Sequence, residues 1–276
     1  MSGDVRTFEV VGGEVREGHA SADLGAASGA LPAGAYTTLR TYPGRRVLRL
    51  SQHIRRLVES AALQAVPGSL DEDAVARALA AALDAAGFEE ARLRLTFAPP
   101  RLFVSVEPFH ALDPAAYRDG VACVTMPLLR TNPRSKDTRF IATAAEAYRS
   151  LPAGANEGLM VAEDGSVLEG LSSNFFAVSA GTLRTARDGV LHGVTRSQIL
   201  ELAATLLPVY ESPIDVAELP FVTESFITSV SRGVLPVVRI DGREVGSGRP
   251  GPVTEELGRL FDDLVEREAV ALPSAR

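Results

Sequence analysis

Residues 35–57 read AYTTLRTYPGRRVLRLSQHIRRL, and the change of rhythm inside this stretch decides the fold class. Residues 34–42 are rich in Tyr and Thr, a composition that suits a half-buried strand. Pro43-Gly44 punctuates a turn and Val47-Leu48-Arg49-Leu50 resumes an extended pattern, so a hairpin is expected. From Ser51 the period changes. Ile54, Leu57, Val58 and Ala61 recur at helical spacing, which predicts a helix over 51–65 with Ser51 as its N-cap. A chain that passes from hairpin to amphipathic helix in so short a span points to mixed α/β architecture.

Outward from this segment, an alanine-rich helix is expected over 71–86, then strands over 91–97 and 101–107. The stretch from Pro108 to Asn132 carries little periodic signal, and the change of domain is placed in its first half. Beyond it, helices are expected over 139–149, 195–207 and 252–268. Strands are expected around 158–163, 173–179, 182–185, 224–230 and 234–240. Strands and helices alternate without a strict βαβ period, so the expectation is two α/β domains with mixed sheets. The boundaries are a smaller N-terminal domain over 1–113, a connection over 114–130 and a larger C-terminal domain over 131–276.

With 46% hydrophobic and 23% charged residues in 276, the chain has the profile of a globular protein with a substantial core. The net charge of -7 and the scattered basic residues suggest no nucleic-acid groove and no polybasic membrane patch. The single cysteine, Cys123, rules out an internal disulfide and sits in the apolar run VACVTM, where a buried thiol is expected. No Cys or His cluster has metal-ligand spacing. The N-terminus lacks a signal pattern and no apolar run reaches membrane length, so a cytoplasmic protein is expected.

Lys136 is the one lysine among 28 basic side chains. Arginine never loses its proton in a protein and cannot become a nucleophilic amine, whereas lysine can, and then forms Schiff bases with carbonyl compounds. A compositional remnant is the competing account. In HGVTRSQIL (192–200), Thr195 and Gln198 fit a capping box after Gly193; such a helix start is either a phosphate seat or an ordinary cap. Glu169, in GSVLEGLSSN (165–174), is a candidate base, a partner for a protonated ring nitrogen, or a solvated turn residue. Arg56 follows His53 by three, so both share a helix face; Arg56 suits a phosphate, and His53 suits capping, packing or binding. Gly246–Gly251 fits G-x-G-x-x-G, but only a terminal helix follows, so a turn is expected there.

Taken together, the blocks AYTTLRTYPGRRVLRLSQHIRRL (35–57), RSKDTRF (134–140), EGLMVAEDGSVLEGLSSNFFAV (157–178), LHGVTR (191–196), ESFITSVSRGVLPV (224–237) and GRPGPVTEEL (248–257) form one pattern. It resembles the class IV, or fold-type IV, pyridoxal-phosphate enzymes: branched-chain aminotransferases, D-amino acid aminotransferases and aminodeoxychorismate lyase. The resemblance covers nearly all of the chain and implies a two-domain homodimer with pyridoxal 5'-phosphate between the domains. It makes Lys136 the residue that forms the internal aldimine and shuttles the proton, and Glu169 the partner of the pyridinium nitrogen. Arg56, Val194, Thr195, Ser229 and Val230 correspond to phosphate-binding positions, and Leu191 to the apolar residue against the ring. Asn174 is expected to brace local backbone. Tyr36 and Thr38 correspond to the substrate side. Val230 stands where relatives usually have threonine, leaving Ser229 or Ser231 to compensate, and Arg139 replaces an asparagine common in some relatives. The loop TFAPPRLF (96–103) lacks an Arg-Gly segment common in the family, so Arg40, Arg101 and Arg139 are the candidates for a substrate carboxylate.

The activity this resemblance implies is transfer of an amino group between an amino acid and a 2-keto acid through a Lys136 aldimine. An alternative is the lyase that releases pyruvate and 4-aminobenzoate from aminodeoxychorismate, since Tyr36-Thr37-Thr38 resembles its Phe-Thr-Thr. A third is a non-catalytic binding protein that kept the fold.

Overall fold

The computed structural model describes residues 5–274 and divides into two compact units. One gathers the chain up to His110 with Ser135–Thr143 and the chain from Val265; the other comprises Ala111–Arg134 and Ala144–Leu264.

The first unit contains β1 (Val5–Val11), β2 (Glu14–Ser21), α1 (Leu24–Gly29), β3 (Ala35–Tyr42), β4 (Arg46–Val47), α2 (Leu50–Leu63), α3 (Glu72–Ala86), β5 (Ala91–Ala98) and β6 (Arg101–Pro108). With the late strand β17 (Val270–Ala271) they build a seven-stranded sheet in the order β17-β4-β3-β5-β6-β1-β2. α2 and α3 lay their apolar stripes on it, and Leu57, Leu79 and Leu83 meet Leu93, Leu95 and Val104 in one core. Each leucine buried there contributes about 2 kcal/mol.

The second unit holds α4 (Pro114–Arg118), β7 (Val121–Met126), the later part of α5 (Arg139–Arg149), β8 (Glu157–Val161), β9 (Ser166–Gly170), β10 (Asn174–Ser179) and β11 (Thr182–Arg184). It continues through α6 (Val194–Ala203), β12 (Val209–Tyr210), β13 (Ile214–Asp215), β14 (Glu224–Ser229), β15 (Gly233–Ile240) and β16 (Arg243–Glu244) to most of α7 (Pro252–Glu268). Its ten-stranded sheet runs β12-β11-β10-β14-β15-β7-β8-β9-β13 with β16 on β15. β9 also pairs with β10 at Asn174–Glu169, which closes the path from β10 through β14, β15, β7 and β8 on itself. Leu159, Phe175, Ala177, Ile227, Leu235 and Val237 fill the core on one face, where Cys123 is also buried.

The mixed α/β class and most elements agree with the sequence reading, and the local differences have physical causes. β4 stops at Val47 because Arg49 turns left-handed (φ 54) and starts α2 at Leu50. Ser51 is therefore inside the helix and its hydroxyl bonds Glu72 instead of capping. β1 and β2 were not anticipated, although Gly12-Gly13 at φ 62 and 89 forms the tight turn between them. Gly246 and Gly248, at φ 56 and 71, form the expected turn before α7.

The compact units also depart from the expected boundaries. The stretch 114–130, expected as a connection, contains β7, which pairs parallel with both β15 and β8. The segment Ser135–Thr143, expected in the C-terminal domain, belongs to the first unit, tied there by backbone and side-chain bonds to β3 and α2.

Candidate active site

Within the first unit, the backbone of Lys136 is held at both of its polar groups. Its carbonyl accepts from Tyr36 N–H at 2.8 Å and its N–H donates to Ser60 Oγ at 3.1 Å. Ser135 Oγ donates to the Ser60 carbonyl at 3.1 Å, and Gln64 Nε2 donates to Ser135 Oγ at 2.9 Å. Arg56 and Ser60 on α2 and Gln64 at its C-cap are spaced by four, so one side of the helix carries the arginine and grips the lysine segment. The Lys136 ammonium lies 4.6 Å from the centroid of the Tyr36 ring, and Arg94 approaches the same ring at 4.9 Å.

Arg56 is oriented by a relay that a linear reading could not show. Its guanidinium donates to Thr37 Oγ1 at 2.8 Å, and Thr37 lies 2.9 Å from His53 Nδ1. Arginine only donates, so Thr37 accepts from Arg56 and its own proton remains available to a bare Nδ1 of His53. Burial, with the charges of Arg56 and Lys136 nearby, holds the His53 imidazole well below its ordinary value and keeps it neutral. His53 thus supports Arg56.

Strand alternation puts Tyr36, Thr38 and Arg40 on the opposite face of β3 from Thr37, with Arg94 directly across from Thr38. Arg40 is stacked between Tyr42 and Phe109, 4.4 and 3.7 Å from the ring centroids, and pairs with Glu90 at 3.4 Å. Arg139 pairs with Asp137 at 2.5 Å, and Arg101 with Glu9 at 2.7 Å. Each of these arginines therefore already has a carboxylate partner within the first unit.

Within the second unit, Glu169 is buried, so the solvated-turn account is set aside. Its Oε1 accepts from Arg130 Nε at 2.8 Å, and its Oε2 from Asn174 Nδ2 at 3.1 Å and Leu191 N–H at 3.2 Å. Asn174 also donates to the Leu191 carbonyl at 2.8 Å, the backbone brace expected of it. Glu169 on β9, Asn174 on β10 and Thr228 on β14 are successive register partners and form a polar row. Thr228 Oγ1 is buried with no hydrogen-bond partner. Arg130 was missed because its segment has no periodicity from which to place it.

α6 begins beside this row. Its N-cap is Gly193, with no side-chain cap, and Thr195 is already the second helical residue, so the expected Thr195–Gln198 capping box does not form. The helix start leaves the N–H groups of Val194 and Thr195 outside the intrahelical ladder. A Cβ at Gly193 would stand 2.3 Å from Asn174 Oδ1, so only glycine lets the helix start this close. Leu191 is buried, and α6 packs beside β14, whose last residue is Ser229. Ser229 Oγ accepts from Arg232 Nε at 3.0 Å, and Val230 follows it without a hydroxyl. Among the described residues there is no group of His, Cys, Asp or Glu arranged for a metal, and no helix is long and apolar enough to cross a membrane.

Comparison with known proteins matches residues 34–240 to the family model described as "Amino-transferase class IV". The probable branched-chain-amino-acid aminotransferase of Thermotoga maritima is 32% identical over 246 residues, covering 85% of this chain and 87% of its own. The D-alanine aminotransferase of Bacillus licheniformis is 29% identical over 254 residues, covering 85% and 88%. A crystal structure of a T.th. branched-chain amino acid aminotransferase with pyridoxamine 5'-phosphate superposes with a TM-score of 0.82 over 99% of both chains, and at 20% identity shows likeness of fold.

Proposed function

From the premise that the chain belongs to the class IV aminotransferases, we propose that it binds pyridoxal 5'-phosphate through Lys136 and transfers amino groups between an amino acid and a 2-keto acid. The observation that carries this is the sole lysine, pinned by backbone bonds to β3 and α2 with its amine against Tyr36. The residues present fit the cofactor. Arg56 offers a guanidinium for a phosphate, the Gly193 turn leaves a bare helix start, Thr228 keeps an unpartnered buried hydroxyl, and Glu169 supplies a fixed carboxylate.

When bound, pyridoxal phosphate supplies the electron sink that allows an amino acid Cα–H bond to break. Lys136 Nζ takes that proton as general base and later returns it. Glu169, its oxygens fixed by Arg130 and Asn174, would hold a proton at the ring nitrogen. Arg56, the Val194 and Thr195 N–H groups, Ser229 and the Val230 N–H would hold the phosphate, and Leu191 would pack against the ring. Tyr36 and Thr38 orient the amino acid. The reported relatives are aminotransferases, which favours transfer over the lyase. On family grounds we also read the chain as a homodimer and as cytoplasmic.

Borohydride reduction of the protein incubated with pyridoxal phosphate, followed by peptide mapping, is expected to label Lys136, and Lys136→Ala to carry no label. A screen of branched-chain amino acids and alanine, both enantiomers, against 2-oxoglutarate is expected to yield glutamate. An unlabelled Lys136 would overturn the cofactor assignment; pyruvate from aminodeoxychorismate with no glutamate from any donor would move the activity to the lyase.

A further inference from the structure

The turn after β14 carries an arginine whose bonds have no part in the catalytic roles assigned above. Arg232 Nε donates to Ser229 Oγ at 3.0 Å, while its NH2 donates to Glu157 Oε2 at 2.9 Å and to Ser172 Oγ at 2.8 Å. Glu157 is fully buried and also accepts from Tyr148 Oη at 2.6 Å and Ser173 Oγ at 3.0 Å. Burial and the Glu157 charge push the Tyr148 phenol up, so it remains a donor to that carboxylate. The Arg232 carbonyl in turn accepts from Tyr117 Oη at 2.9 Å. Both the chain and the guanidinium of Arg232 are thus held in place, and its charge is already balanced by Glu157.

A guanidinium has no acceptor, so Ser229 must receive the bond from Arg232 with a lone pair and keep its own proton for another partner. The next residue, Val230, has no hydroxyl to offer. We propose that Arg232, braced by Glu157, is a positioning residue that fixes the Ser229 hydroxyl as a donor to the phosphate of the cofactor. This rests on Ser229 facing that phosphate. Arg232 itself contributes no free charge there; it acts through the serine and leaves phosphate attraction to Arg56 and the α6 start.

The experiment is titration of the apo-protein with pyridoxal phosphate, followed by absorbance, for wild type, Ser229→Ala, Arg232→Ala and the double variant, with phosphorus NMR of the bound cofactor. Ser229→Ala and Arg232→Ala are each expected to weaken binding roughly tenfold, as for one hydrogen bond to a charged group. The double variant should bind no more weakly than either single one, because both remove the same contact. Both single variants should also shift the phosphate resonance. Arg232→Lys guards against misfolding: its ammonium still pairs with Glu157 but no longer fixes Ser229, and binding should weaken similarly. Unchanged affinity in either Arg232 variant, or additive losses in the double one, would overturn the proposal while leaving cofactor binding intact. Absence of binding by the wild-type protein would overturn both this and the cofactor assignment.

Discussion

At the scale of the residue, one hydroxyl helps to orient Arg56. Thr37 accepts from Arg56 and faces His53, all within the first unit. Thr37→Val keeps the shape and removes both bonds, leaving a buried imidazole nitrogen without its Thr37 partner. The expected cost is about 1–3 kcal/mol of stability, with pyridoxal phosphate affinity falling roughly tenfold as the guanidinium loses this orienting bond. Thr37→Ser should recover most of both. Urea melts and apo-protein titrations check this, and full affinity in Thr37→Val would mean that Arg56 needs no such bond. The shared face of His53 and Arg56 was legible in their spacing, because a helix repeats every 3.6 residues. Thr37 was not, since no local period joins a strand residue to a helix that follows a turn. Glu169 was legible as a chemical type, but its burial and its Arg130 partner came only with the closure of the second sheet.

At the scale of the element, periodicity located the helices well and their caps poorly. The expected span of α7 matches the observed Pro252–Glu268, whereas Ser51 and Thr195 were both misplaced as N-caps. A stripe of apolar residues is a property of the segment. A cap depends on the backbone entering the helix, which tertiary contacts set at Arg49 and Gly193. α7 shows the same principle from a distance. Glu224 on β14 accepts from Val253 N–H at 3.2 Å and from Thr254 N–H and Oγ1, both at 2.8 Å. This carboxylate serves as the cap, and it can approach because a Cβ at Gly251 would stand 2.2 Å from its Cδ. Glu224→Ala is expected to cost about 1–2 kcal/mol, and Gly251→Ala at least as much because the carboxylate must move away. Equilibrium urea unfolding measures both; a neutral Gly251→Ala would show that the helix start tolerates a shifted carboxylate.

At the scale of the whole molecule, the two units interleave in sequence, and this set the limit on reading domains linearly. Ser135–Thr143 and the chain from Val265 return to the first unit after the second has begun, tied by bonds such as Tyr36 N–H to the Lys136 carbonyl and by β17 on β4. No composition shift marks such a return. Global stability should nevertheless depend on pH through one buried group. His53 is depressed well below 6.5 by burial first, then by Arg56 and Lys136. Above that value it is neutral in both the folded and the unfolded chain. As pH falls below it, the unfolded chain takes up a proton that the folded chain refuses, so stability declines by up to about 1.4 kcal/mol per pH unit until His53 protonates in the native state. Exposed carboxylates lowered by arginine partners, such as Glu9 by Arg101 and Glu256 by Arg259, add their losses only in the carboxylate range below. The window between about pH 6.5 and pH 5 therefore isolates His53 from them. His53→Asn places a non-titrating acceptor near Thr37, and unfolding free energies across that window should be flatter than in wild type. Parallel slopes for the two proteins would remove His53 as the origin of the acid sensitivity.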